Sequence, residues 1–220
     1  MSYRELIYKN AFHAIEKIYE DSKSNKKEDL YRSRDIMNDI NAAQMNSNQW
    51  LVDNITPFLN KKYLHFDLKN ILILGTWYGV TGLLLREHIE SNVKIWNVNS
   101  DPECERYSNM LKCNIPYAEN NISITASAAE YFFDNSDAHQ LIVNTSCESM
   151  DPEDLLLLIN TKNTETVVCF QSNNYHAGPR NISTHNSVEE FVEFLDLDRV
   201  IWKGTLETLN DYERYMVIGL

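Results

Sequence analysis

No stretch of this 220-residue chain approaches the roughly 20 consecutive apolar residues that a bilayer-crossing helix needs. The amino terminus, MSYRELIYKNAFHAI, mixes charge with apolar residues and lacks the apolar block of a secretion signal, which leads to the expectation of a cytoplasmic protein. Cysteine is sparse. Cys104, Cys113, Cys147 and Cys169 form no C-x-x-C pair and stand at no ligand-like spacing from histidine, so neither structural zinc nor a disulfide framework is expected, and the thiols should be reduced. Three Asn-x-Ser matches, at Asn121, Asn144 and Asn181, have no consequence without a secretory route. Positive charge is also short: the formal net charge is −12. It is unevenly spread, with 11 basic and 10 acidic side chains in residues 1–70 and 9 against 22 in the remainder. A body of that sign repels polyphosphate, so nucleic-acid contact would depend on the basic SKSNKK and YRSR segments, which equally read as solvated helix faces and loop. A small-molecule or protein partner is expected ahead of nucleic acid.

What is present falls into two grammars. In residues 1–69, apolar side chains recur at helical spacing. Leu6, Ile7, Ala11, Ala14, Ile15 and Ile18 predict a helix over residues 3–20; Leu30, Ile36, Met37, Ile40 and Ala43 mark a second, and NQWLVDNITPFL a third. With no repeat, these read as an N-terminal helical cap on a domain spanning 70–220. From residue 70, short β-rich runs (NILILG, VKIWNVN, ISITA, QLIVNT, TVVCFQS, RVIWKGTLETL, RYMVIGL) alternate with helical stretches. Such alternation builds βαβ crossovers and a mostly parallel sheet covered on both faces. Only NDYE separates the last two runs, too little for a crossover, so they should form an antiparallel hairpin.

Seven strands ending in a hairpin, together with the glycine turn GTWYG after the first, resemble the Rossmann-like class I methyltransferase fold, the family that uses S-adenosylmethionine. The resemblance covers residues 70–220 and implies the sheet order 3-2-1-4-5-7-6, with ligand at the carboxyl ends of the strands. NTSCE (Asn144 to Glu148), QSNNY (Gln171 to Tyr175) and NAAQMNSNQWL, with Gln44, Ser47 and Trp50, are similar to segments of phage-type methyltransferase-like proteins. There the first motif usually continues His-Met, where this chain has Ser149-Met150, and Asn181 stands where a histidine is usual.

The resemblance implies cofactor contacts from Gly75, Thr76, Trp77 and Gly79, where a Cβ would obstruct the ligand, from Asn99, Ser100 and Asp101 after the second strand, from Ser127 and Ala128 after the third, and from Asn144. Catalytic candidates are Asn144, Glu148 and Tyr175. Departures from the family are plain. Ile73 replaces the strand acid, Trp77 the middle glycine, Asn99 the ribose-binding acid, and Ser127 the acid that meets adenine. Trp77 or Tyr78 could set a ring beside the sulfonium or simply pack. Asp101 could reach the ribose or cap the helix starting DPECER; Glu148 could act as general base or cap the helix starting DPED. Cys147 lacks the positive surroundings a thiolate needs and reads as a small buried residue. His139, His176 and His185 are expected at the surface, and no metal set is expected.

Two functions follow. One is an S-adenosylmethionine-dependent methyltransferase with unknown acceptor, for which the remaining polar cleft residues speak. The other is a catalytically degenerate protein of the same fold that serves as a binding or assembly subunit, for which the four replaced positions speak. A nicotinamide dehydrogenase fits less well, because a full G-x-G-x-x-G is absent.

Overall fold

Alternation of side chains along each strand decides where the core lies. The computed structural model describes residues 1–21, 26–59, 67–178, 180–208 and 211–220, with the side chains of 21 and 26–30 excepted. The SKSNKK segment and the basic loop before the first strand fall largely outside them. The strands are β1 (Asn70–Leu74), β2 (Lys94–Asn99), β3 (Asn121–Thr125), β4 (Leu141–Asn144), β5 (Val167–Asn173), β6 (Val200–Glu207) and β7 (Glu213–Gly219). They form one sheet in the order β3-β2-β1-β4-β5-β7-β6, as the resemblance implied. β1 to β5 run parallel, and β7 lies antiparallel between β5 and β6.

Helices cover both faces: α1 (Tyr3–Asp21), α2 (Lys26–Asp39), α3 (Ala42–Ile55), α4 (Val80–Leu85), α5 (Pro102–Leu111), α6 (Ala128–Asp134), α7 (Pro152–Thr161) and α8 (Val188–Leu195). Ile71 and Ile73 face a cluster that includes Ile7 and Ala11 of α1, Ile36 of α2 and Ile40 just past its end, Leu51 and Val52 of α3, and Leu83 and Leu84 of α4. Leu72 and Leu74, pointing the other way, join Phe132 of α6, Leu155 and Leu158 of α7, and Phe191 and Leu195 of α8. The N-terminal helices thus share one continuous core with the sheet face that carries α4 and α5. Among the described residues no helix is long and apolar enough to cross a membrane.

Helix starts are written locally. Asp101 and Asp151 accept the amides of Glu103 and Glu153 at 3.0 and 2.9 Å, each ahead of a proline at the first helical position. Asp151→Ala is expected to cost about 1 kcal/mol of stability in urea unfolding, the usual loss on removing such a cap. The helical stretch after GTWYG is α4, which gives way after Leu85 to a 3-10 turn over Arg86–His88, where Arg86 points inward. Its guanidinium is 2% exposed and is held by Asn121 Oδ1 at 2.9 Å, the Val93 carbonyl at 2.7 Å and the Glu90 carbonyl at 3.2 Å. A buried cation so fully bonded ties this turn to the segment that leads into β2 and to the start of β3.

Candidate functional site

Strand register sets the crevice. Leu74 pairs with Val98 of β2 and with Asn144 of β4, so Asn144 stands level with the last residue of β1, and Gly75 and Asn99 follow one position on at the carboxyl edge of the sheet. The chain leaves β1 toward β2 on one side while β4 flanks it on the other, which makes this the switch point where open α/β sheets bind ligands. Gly75 (φ 65°) and Gly79 (φ 79°) are both left-handed. A Cβ on Gly75 would collide with Ser146 Oγ, and the Gly75 carbonyl accepts from Thr145 Oγ1 at 3.3 Å and Ser146 Oγ at 3.4 Å. Part of the need for a bare backbone at this turn is therefore the protein's own β4 loop. Gly75→Ala is expected to lose about 1–2 kcal/mol from the left-handed backbone and more from the Ser146 contact. Adding Ser146→Gly should restore the second part alone, as read by urea unfolding.

Trp77 takes the same left-handed conformation (φ 46°), which explains why a glycine is usual at its position, and its side chain is 37% exposed. Tyr78 does the packing. It is buried, meets Tyr107 of α5 edge-on at 6.0 Å between ring centres, and lies beside Arg32. Of Thr76, only 4% is exposed, and its Oγ1 has no hydrogen-bond partner.

At the end of β2, Asn99 Oδ1 accepts the Asp101 amide at 2.9 Å, and Ser100 is exposed. Asp101 caps α5, the reading the sequence allowed, and also pairs with both terminal nitrogens of Arg32 on α2. That bond is the first cause holding the Asp101 carboxyl below its ordinary range. Ser127 caps α6 by accepting the Glu130 amide at 3.3 Å, and Ala128 opens that helix half-buried beside the β3 end.

Beyond β4 the polar groups turn inward. Asn144 Oδ1 accepts the Ser146 amide at 3.0 Å and its Nδ2 faces Met150 Sδ at 3.3 Å. Glu148 does not cap α7, a task Asp151 performs; it is 7% exposed, with Oε1 4.0 Å from Arg214 Nη2 and no hydrogen-bond partner for Oε2. Burial raises the Glu148 carboxyl, while Arg214 and the nearby Asn173 side chain pull it down. Arg214, on β7, also donates to the Thr145 carbonyl and to Gln171 Oε1 at 3.4 Å, so the loop after β4, β5 and β7 meet on one guanidinium. Cys147 is fully buried and its thiol is pushed well above the ordinary value, chiefly by burial. Tyr175 stands at the rim, 47% exposed, with its ring 5.7 Å from that of Tyr212.

The fold therefore brings together Gly75, Thr76, Asn99, Asn144, Ser146 and Glu148 along one edge. It leaves Tyr175 and Ser100 on the surface and ties Ser127 into a helix start. Two of the three histidines correct the sequence expectation. His139 is 3% exposed between Trp96 and Tyr131, with burial lowering it to about 4, and His185 is 5% exposed under Phe191 and Phe194. Aromatic side chains of the adjoining helices α6 and α8, with Trp96 of β2 beside His139, cover these rings, which loop position could not reveal.

Three residues were missed. Arg214 is the lone charge opening the apolar run RYMVIGL. Arg32 and Asp39 share the α2 face of the buried Ile36 and Ile40, so an acid on an apolar helix face was the available signal. Asp39 is 7% exposed and lies near the Tyr78 amide of the glycine turn, which draws its carboxyl down against the effect of burial, while Oδ2 has no hydrogen-bond partner.

S-adenosylmethionine carries an amino-acid tail, a ribose and an adenine. The bare left-handed backbone at Gly75 and the buried, partnerless Thr76 hydroxyl fit the tail. The β2 end fits less closely, because Asn99 and Asp101 already bond within the protein.

No protein-family model and no curated protein matches the sequence. Solved structures do match. An O-methyltransferase from Bacillus cereus in complex with SAH aligns with a TM-score of 0.55 at 15% identity, over 82% of this chain and 83% of its own. A methyltransferase from Geobacter sulfurreducens gives 0.54 at 9% identity over 79% and 77%. A precorrin-6y C5,15-methyltransferase from Geobacter metallireducens gives 0.52 at 12% identity over 79% and 86%. The chain has the Rossmann-like methyltransferase fold, and at these identities the likeness carries the fold alone.

Proposed function

We propose that the chain is an S-adenosylmethionine-dependent methyltransferase, similar to the phage-type proteins, whose cofactor lies across Gly75, Thr76, Asn99 and Asn144. The observation that carries this reading is the bare left-handed turn at Gly75, one residue beyond the Leu74–Asn144 pair at the switch point of a methyltransferase-like sheet. Bound there, the cofactor would supply an electrophilic methyl group on sulfur and leave as S-adenosylhomocysteine. The chain's own work is alignment, which effective-molarity data put at about 7–11 kcal/mol, and removal of the acceptor's proton. Glu148 suits that second task, since burial raises its affinity for a proton and its Oε2 is uncommitted. Tyr175 at the rim would meet the acceptor. The acidic body favours a small-molecule or protein acceptor over nucleic acid.

A second reading, a binding or assembly subunit without catalysis, is favoured by one feature: the Asp101 carboxylate is already engaged by Arg32 and by the α5 start. Calorimetric titration with S-adenosylmethionine and S-adenosylhomocysteine separates the two. The enzyme reading expects dissociation constants on the order of micromolar. Silence with ligand at about millimolar concentration would overturn it in favour of the second.

A further inference from the structure

β1 supplies no carboxylate to the glycine turn, because Ile73 is fully buried among apolar neighbours. A carboxylate reaches the turn from elsewhere. Asp39, the last residue of α2, lies against it, with one interaction from the Tyr78 amide and with Oδ2 buried and partnerless. Two residues before Tyr78 in the same turn, Thr76 Oγ1 is also buried and partnerless. A buried carboxylate oxygen without a donor is costly, and it persists where a ligand completes it or where function needs it. The helix has a cation to offer, but Arg32 is turned to Asp101, and no side-chain cation contributes to holding Asp39 ionised. Arg32 and Asp39 are seven residues apart, two turns along one helix face. The Arg32–Asp101 pair thus pins one end of that face to the start of α5 while the other end presents Asp39 to the turn.

We infer that Asp39 receives the ammonium group of the ligand's amino-acid tail, with Thr76 Oγ1 beside it, in place of the acid that β1 lacks. Arg32 is a positioning residue for this contact. The inference rests on the proposed use of S-adenosylmethionine. It gives α2, which lies outside the βα repeats, a share in the binding site.

The test pairs two ligands, S-adenosylhomocysteine, which carries the tail, and 5′-methylthioadenosine, which does not, against wild type and Asp39→Asn by calorimetry. The expected result is a loss of about tenfold or more for S-adenosylhomocysteine in the variant, the usual scale for a lost charge-assisted hydrogen bond, and an unchanged affinity for methylthioadenosine. A ligand-side measurement needs no variant: S-adenosylhomocysteine lacking its amino group should bind wild type about tenfold more weakly than the parent compound. Equal affinity of both proteins for S-adenosylhomocysteine, or equal loss for both ligands, overturns the Asp39 assignment and leaves the cofactor reading standing. Wild type that binds neither nucleoside overturns both.

Discussion

Replacing Arg214 by Met should lower the unfolding free energy by about 3–5 kcal/mol near neutral pH, the scale for stripping the partner from a buried charge. The guanidinium is 5% exposed and is the common donor to the Thr145 carbonyl and Gln171, with Glu148 facing it at 4.0 Å. Its loss leaves Glu148 buried without an opposing charge, and a carbonyl and an amide without their donor. Burial already raises the Glu148 carboxyl, and removing Arg214 raises it further. A raised carboxyl binds its proton more readily in the folded state, so the deficit should shrink as pH falls and Glu148 becomes neutral. Urea unfolding at two pH values reads both effects. Glu148→Gln added to the Arg214 variant should recover part of the loss, because a neutral amide no longer needs the cation. A deficit that is the same with and without Glu148→Gln would mean that packing, rather than charge, sets the cost.

Asp39→Asn should act in the opposite direction and stabilise the ligand-free protein. Burial lifts the Asp39 carboxyl from an ordinary value of 3.8 to about 7, with the Tyr78 amide opposing. Because the folded state holds this proton more tightly than the unfolded chain, stability falls as pH rises through the window between those values. The penalty is absent below about pH 4 and complete above about pH 7. The difference in unfolding free energy between Asp39→Asn and wild type should therefore grow from near zero at about pH 4 to on the order of 4 kcal/mol at about pH 8. The comparison between the two proteins isolates Asp39 from His139, whose low proton affinity weakens the fold on the acid side in both. With saturating S-adenosylhomocysteine the gap at high pH should narrow, since the ligand ammonium then opposes the charge in wild type alone. A pH-independent gap would contradict the buried, unpartnered state of this carboxylate.

How much of this was legible in the sequence depended on whether neighbours in the chain or neighbours in space decide a residue's state. The sheet was legible. NILIL alternates between two apolar faces, and both faces are filled, one by α1, α3 and α4 and the other by α6, α7 and α8. The helix starts at DPECER and DPED were legible too, because a cap acts within three residues, although the cap of the second is Asp151 and not the Glu148 that the sequence offered. Gly75 and Gly79 stood out for the same local reason, although the collision that a Cβ at Gly75 would meet comes from Ser146, some seventy residues on. Arg214, Asp39, Arg86 and His139 were not legible. A single charged or polar residue normally reads as solvated, and only the assembled fold buries these four. Arg214 and Arg86 find several acceptors there, whereas the His139 ring nitrogens and Asp39 Oδ2 are left without partners. Glu148 was legible as polar but not as buried, since its surroundings come from β5 and β7 rather than from NTSCE itself.

The claim on which the rest depends is that the Gly75 turn binds the adenosyl cofactor, and amide NMR with S-adenosylhomocysteine tests it most directly. The account predicts shifts concentrated at Gly75–Gly79, Asn99–Asp101, Asp39 and Asn144–Ser146. It would be contradicted by spectra that do not change at saturating ligand, or by shifts confined to the opposite end of the sheet, in the cavity of about 370 Å³ lined by Asp137, His139, Gln140 and Glu165.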